Sequence, residues 1–113
     1  MSTRLDLIID QGATWRRTIR WTSDGSPVNL TGATARMQLR QQFTDPTPAI
    51  DLTTGNGVTV TGGLGTITIV ITATATAALN PGRYVYDLDV TNGTGDVTRL
   101  LYGWATVTPE VTR

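Results

Sequence analysis

Apolar and polar side chains alternate with a period of two in almost every stretch between turn signals, a pattern that puts one face of an extended chain in a core and the other in water. The elements it predicts are short antiparallel strands. Leu5, Leu7 and Ile9 alternate with Arg4 and Asp6, and Ile8 breaks the pattern. Trp15, Ile19 and Trp21 alternate with Arg16, Thr18 and Arg20, with Arg17 as a charge on the apolar side. The turn formers Ser23-Asp24-Gly25-Ser26-Pro27 end that strand, and Val28-Asn29-Leu30-Thr31-Gly32 begin another. From Ala33 to Gln41, the residues Ala33, Ala35, Met37 and Leu39 face one way while Thr34, Arg36, Gln38 and Arg40 face the other.

Pro46 and Pro48 make residues 41–49 a surface loop or a sheet edge, because proline cannot donate to a ladder. Ile50 and Leu52 suggest a short strand after it. Val58 and Val60, the run Gly62-Gly63-Leu64-Gly65, then Ile67, Ile69 and Ile71 predict a hairpin with Val60 opposite Ile67 and Thr61 opposite Thr66. Ala73 to Leu79 has helical leanings and ends at Asn80-Pro81-Gly82, which predicts a turn or two of helix. The last third predicts a longer hairpin, Arg83 to Thr91 and Val97 to Thr108 around the loop Asn92-Gly93-Thr94-Gly95-Asp96. Centring its turn on Thr94 opposes Leu88 to Leu100, Tyr86 to Tyr102 and Tyr84 to Trp104, an aromatic ladder expected to lie in the core. About eight short strands with little helix predict an all-β fold, an antiparallel β-sandwich of immunoglobulin-like architecture with one short helical turn near 73–79. The length fits one domain spanning 1–113.

Composition strengthens that expectation and narrows the chemistry. Threonine, β-branched and at home on a pleated surface, occurs 23 times, while histidine, cysteine and lysine are absent. Those absences remove the usual proton shuttle, thiolate and reactive amine, so no enzymatic activity is expected. They also remove disulfides and the ordinary zinc ligand sets, and no cofactor is expected. Nine arginines balance nine acidic residues, so no net field gathers nucleic acid or anionic lipid. The longest apolar-rich run, Ile67 to Ile71, is too short to cross a bilayer, and the amino terminus does not read as a secretory signal.

Each candidate site has a plain structural counterpart. Asp87 and Asp89 share a strand face and could share a metal, yet the same register opposes Asp89 to Arg99, and a cross-strand ion pair accounts for them. Asp24, Asp45 and Asp96 sit in turns, where a carboxylate caps its own backbone. Arg16 with Arg20 and Arg36 with Arg40 would form a basic patch if their strands paired, or a solvated face balanced by Asp6, Asp10 or Asp87. The glycine runs at 55–57 and 62–65 open no helix and carry no lysine, so they are expected to be hairpin turns rather than phosphate loops. The last strand stands out. On its face opposite Tyr102 and Trp104 lie Val97, Leu101, Gly103, Ala105 and Val107, joined across the hairpin by Val85. Apolar residues on both faces mean that something covers the second, either a loop or chain end of this molecule or another protein. Val85, Val97, Leu101, Ala105, Val107 and the unpatterned Ile8 are thus the candidate protein interface.

Gln11-Gly12-Ala13-Thr14-Trp15, the stretch Asp24-Gly25-Ser26-Pro27-Val28-Asn29-Leu30-Thr31-Gly32-Ala33-Thr34-Ala35-Arg36-Met37, and the closing segments Tyr84 to Leu88 and Gly103 to Thr112 resemble small tailed-phage structural proteins. The similarity is to the immunoglobulin-like amino-terminal module of upper-baseplate proteins. It implies a virion component of the tail, baseplate or neck, made in the host bacterial cytoplasm and present in many symmetry-related copies. Its implied partners are other virion proteins, with no nucleic acid, membrane or small-molecule substrate. The same resemblance leaves a capsid decoration protein as an alternative. The residues themselves leave one of another class, a free carbohydrate-binding or other recognition module in which Trp15, Trp21 or Tyr102 stacks on a sugar.

Overall fold

The structure is a computed structural model describing residues 3–111. Its strands are β1 (Thr3–Arg4), β2 (Leu7–Asp10), β3 (Trp15–Arg20), β4 (Thr22–Ser23), β5 (Ser26–Pro27), β6 (Thr34–Arg40), β7 (Ile50–Thr54), β8 (Gly57–Thr61), β9 (Thr66–Ile71), β10 (Gly82–Thr91) and β11 (Val97–Thr108). A 3-10 turn covers Gly62–Leu64 and a single short helix, α1, covers Ala73–Ala77. The hydrogen-bonded order runs β1-β11-β10-β6-β7-β8-β9-β3, with β2 also on β11, and β4 and β5 form a separate hairpin. Between β7 and β8 only Thr53↔Gly57 and Thr54↔Val58 pair, and there the path folds over. One layer is then β1/β2-β11-β10-β6-β7 and the other β8-β9-β3, a β-sandwich of immunoglobulin-like form.

Alternation builds the core. Ala35, Met37 and Leu39 of β6, Ile67, Ile69 and Ile71 of β9, and Tyr84, Tyr86, Leu88 and Val90 of β10 all point between the layers and are buried. The hairpin β8–β9 has the register its residues predict, Val60↔Ile67 and Thr61↔Thr66. At the β4–β5 turn Asp24 and Gly25 both take positive φ (54° and 80°), the geometry of a two-residue hairpin turn. Thr72 caps α1 by accepting from the Ala75 amide at 3.2 Å, and α1 ends sooner than the expected 79. The buried Thr76 hydroxyl accepts from the Gly12 amide (3.1 Å) and donates to the Ala13 carbonyl (2.8 Å), fastening the β2–β3 connection to the helical turn.

Two features depart from the expected pairing, besides the short parallel contact of β7 with β8. The first strand joins the sheet in parallel, Thr3↔Leu101 and Arg4↔Tyr102 for β1 and Ala105↔Leu7 through Thr108↔Asp10 for β2. Both pieces keep one register and are parted at Leu5-Asp6, opposite Gly103. The amino-terminal strand thus pairs inside the fold. The second departure is in the last hairpin. From the turn, Thr91↔Val97, Val90↔Thr98 and Asp89↔Arg99 pair as predicted, but the next pair is Leu88↔Leu101. Leu100 is an extra residue, a β-bulge, and every pair beyond it is shifted by one. Tyr86 faces Gly103, Tyr84 faces Ala105, and the aromatic ladder does not form.

Candidate functional site

The bulge decides which side chains reach the surface. A shift of one residue exchanges the two faces of a strand. Tyr102 and Trp104, expected in the core, are on the outer face and 40% and 37% exposed, while Tyr84 and Tyr86 remain buried. Leu101, Ala105 and Val107, expected as part of an interface, fill the core instead. Leu100 and Leu101 both point inward because the bulge interrupts the alternation. Of the other candidate interface residues, Val85 is half-buried in the outer face, and Val97 (65%) and Ile8 (69%) are exposed on it.

A groove of about 520 Å³ crosses the outer face of β6, β10 and β11, and Ile8 and Val97 do not line it. Val85, Tyr102 and Trp104 contribute its apolar lining, and Phe43, the most exposed aromatic residue, leans in from the 41–49 loop. Polar groups line it as well: Gln38, Arg40, Asp87, Arg99 and Arg4. The Arg83 guanidinium lies 4.9 Å from the Trp104 ring centre, a cation–π contact that holds the indole in place.

The first strand flanks the groove at the edge of β11. At the break between β1 and β2 the Leu5 carbonyl leaves the ladder and accepts the Tyr86 hydroxyl. The Asp6 carboxylate takes over as acceptor for the Trp104 amide at 3.0 Å. That hydrogen bond, with the Arg4 charge at 3.5 Å, holds the Asp6 carboxyl below its ordinary pKa. Gly103 makes the close approach possible: its φ is 155°, and a Cβ there would lie 2.7 Å from the Leu5 oxygen. Burial pushes the Tyr86 hydroxyl up to about 12, with Arg17 opposing and Asp6 reinforcing.

On β10 the expected Asp89–Arg99 pair is present, and Asp87 joins it. Arg99 lies 3.6 Å from Asp87 and 3.8 Å from Asp89, one guanidinium between two acids. Desolvation and the Asp87 charge raise the Asp89 pKa against that pull. No group of three or more acidic side chains among the described residues is placed to hold a metal ion. The proposed basic patch does not assemble, because β3 and β6 lie in different layers. Arg36 pairs with Asp51 at 3.3 Å, and Arg40 donates to the Asp45 carbonyl and to Gln38. Asp6 and Asp87 balance Arg4 and Arg99 rather than the β3 arginines, and Asp10 accepts from Thr108. In the β10–β11 loop the cap is Asn92, which accepts from the Thr94 and Asp96 amides, and not Asp96; Asp45 accepts from the Gln42 amide.

Sequence reasoning placed Tyr102 among possible stacking residues but missed Trp104 and Phe43. The one local sign was Gly103 inside a strand, which points to a close backbone approach but does not choose the register. Trp15 donates its indole N–H to the Ile8 carbonyl at 3.1 Å, and both Trp15 and Trp21 are half-buried against the core, poorly placed to stack on a sugar.

No protein-family model and no curated protein matches the chain. Among solved structures it is similar to CopC from Methylosinus trichosporium OB3b, with 14% identity, a TM-score of 0.49, and coverage of 95% of this chain and 89% of that one. It is equally similar to the extracellular domain of the voltage-gated sodium channel beta4 subunit, with 14% identity, a TM-score of 0.49, and coverage of 98% and 96%. These likenesses concern the fold alone.

Proposed function

We propose that this chain is a non-enzymatic structural component of a tailed-phage virion, in the tail, baseplate or neck, that docks to neighbouring virion proteins through the outer face of β6, β10 and β11. The observation that carries the docking surface is the groove of Val85, Tyr102, Trp104 and Phe43 with arginines around it. Tyrosine, tryptophan and arginine are the side chains that dominate the energetics of protein interfaces, and an apolar centre with a charged surround is their usual arrangement. The virion assignment rests on the sequence resemblance together with a composition poor in catalytic groups. Mass spectrometry of purified virions is expected to find the chain, and its absence from them would end this proposal. Labelled particle images then separate a tail, baseplate or neck position from a capsid-exterior decoration.

One observation favours a second reading, carbohydrate recognition. Tyr102 and Trp104 present ring surface beside Asp87, Arg99 and Gln38, a set that could both stack on a sugar and bind its hydroxyls. A broad glycan panel read by tryptophan emission tests it, and silence across the panel would remove it.

A further inference from the structure

On the opposite layer, the end strand β3 has, among the described residues, a neighbouring strand on one side only, β9. In an immunoglobulin sandwich the first strand lies beside the second in the same sheet. Here both pieces of the first strand, β1 and β2, go to β11, and the place beside β3 is left open. The outward-directed backbone can be identified. The Trp21 amide donates to the Gly65 carbonyl at 2.8 Å, and Trp21 follows β3 in the same β9 register, so Trp15, Arg17 and Ile19 face β9 with their hydrogen-bonding groups. The Thr18 and Thr68 hydroxyls meet at 3.2 Å across the ladder, as expected of a closely spaced, non-hydrogen-bonded pair. Arg16, Thr18 and Arg20 therefore direct their N–H and C=O groups to the free edge.

The charge on this strand is unbalanced. Arg16, Arg17 and Arg20 are exposed, and none makes an ion pair among the described residues, whereas Arg4, Arg36 and Arg99 each meet a carboxylate. Trp15 and Ile19, on the core-facing side of β3, are left half-covered. A second copy of the chain is a poor match, because antiparallel pairing about Thr18 would set Arg16 against Arg20. We propose that the free edge of β3 accepts, by β-strand addition, an extended segment of a partner protein in which acidic and apolar residues alternate. Its carboxylates would lie opposite Arg16 and Arg20, and its apolar side chains would close over Trp15 and Ile19. This edge is separate from the groove, so the two proposals fail independently.

The test uses a blocked eight-residue peptide of alternating glutamate and valine, and a counterpart with lysine for glutamate, titrated calorimetrically into the full chain at low ionic strength. The acidic peptide is expected to bind saturably and more weakly as salt is added, and the basic one not to bind. Thr18→Pro removes an outward N–H from an edge position where proline is otherwise tolerated, and is expected to abolish binding. The double variant R16A/R20A is expected to weaken it at least about tenfold while keeping the melting transition, and it serves as the readout if Thr18→Pro fails to fold. Edge arginines that act merely to ward off pairing would leave the peptide unbound, and that result overturns the proposal. Equal binding of both peptides, binding unchanged in both variants, or a self-association by light scattering that Thr18→Pro abolishes would overturn it as well.

Discussion

Tyr86 joins the first strand to the core through one hydroxyl, and the consequences can be measured at that residue. Its hydrogen bond to the Leu5 carbonyl is made at a position 5% exposed, where an acceptor left without its donor is costly. Tyr86→Phe is expected to lower stability by about 1–2 kcal/mol in urea unfolding, with the slope unchanged. The same hydroxyl carries a pH signature. A folded pKa of about 12 against the ordinary 10.0 means that its stabilisation is fully present below pH 10.0 and is lost as pH rises toward about 12. Stability measured across that window should fall less steeply in Tyr86→Phe than in the parent chain. Asp6 acts at the opposite end: its lowered pKa gives a contribution present above the ordinary carboxylate value and lost as pH falls through the folded one. Asp6→Asn should flatten the acid limb. Gly103→Ala would set a Cβ against the Leu5 oxygen at a φ that L residues rarely adopt, and is expected to cost about 1–3 kcal/mol. Gly63→Ala, with open space around it, should change stability by no more than about 0.5 kcal/mol in the same urea unfolding.

Among the elements, β11 carries the most consequence for its length. Its bulge at Leu100 turns Leu101, Ala105 and Val107 inward and Tyr102 and Trp104 outward. Deleting Leu100 leaves Asp89 opposite Arg99 and Leu88 opposite Leu101, so the faces beyond the bulge are kept and the deleted chain is expected to retain cooperative unfolding by circular dichroism, destabilised by about 2–4 kcal/mol for the lost buried leucine. Loss of the sharp transition would show that the bulge itself is needed for the fold. Most other elements were legible before the fold was known. The alternation in β6, the β8–β9 register and the Asp89↔Arg99 pair follow from side-chain period and turn chemistry, both of them local. The bulge was not, because either register gives β11 an apolar face and an aromatic one. Local sterics could not choose between them.

For the whole molecule, the outer groove and the free β3 edge lie on different layers, each open to a separate neighbour. Two such surfaces would serve the assembly role proposed above. Replacing Tyr102 and Trp104 by alanine removes half-exposed rings without opening the core. Thermal stability is therefore expected to stay within about 1 kcal/mol of the parent chain, while incorporation into virions, read by quantitative mass spectrometry, falls. Normal incorporation of a folded double variant would exclude the groove as the docking surface.

The period-two pattern, the threonine-rich composition and the turn residues were enough to specify most strands, the inner and outer faces of all the long ones but β11, and the β8–β9 register, since each depends on residues within one or two turns of chain. Two features depended on contacts between distant segments. The first strand lies on β11 rather than beside β3, anchored through Leu5, Tyr86, Asp6 and Trp104 across more than eighty residues of chain. The bulge in β11 brings Gly103 opposite the parted first strand, where the close approach of Leu5 leaves no room for a Cβ. Both choices minimise uncovered apolar surface and unpaired backbone for the molecule as a whole, a sum that no single segment contains.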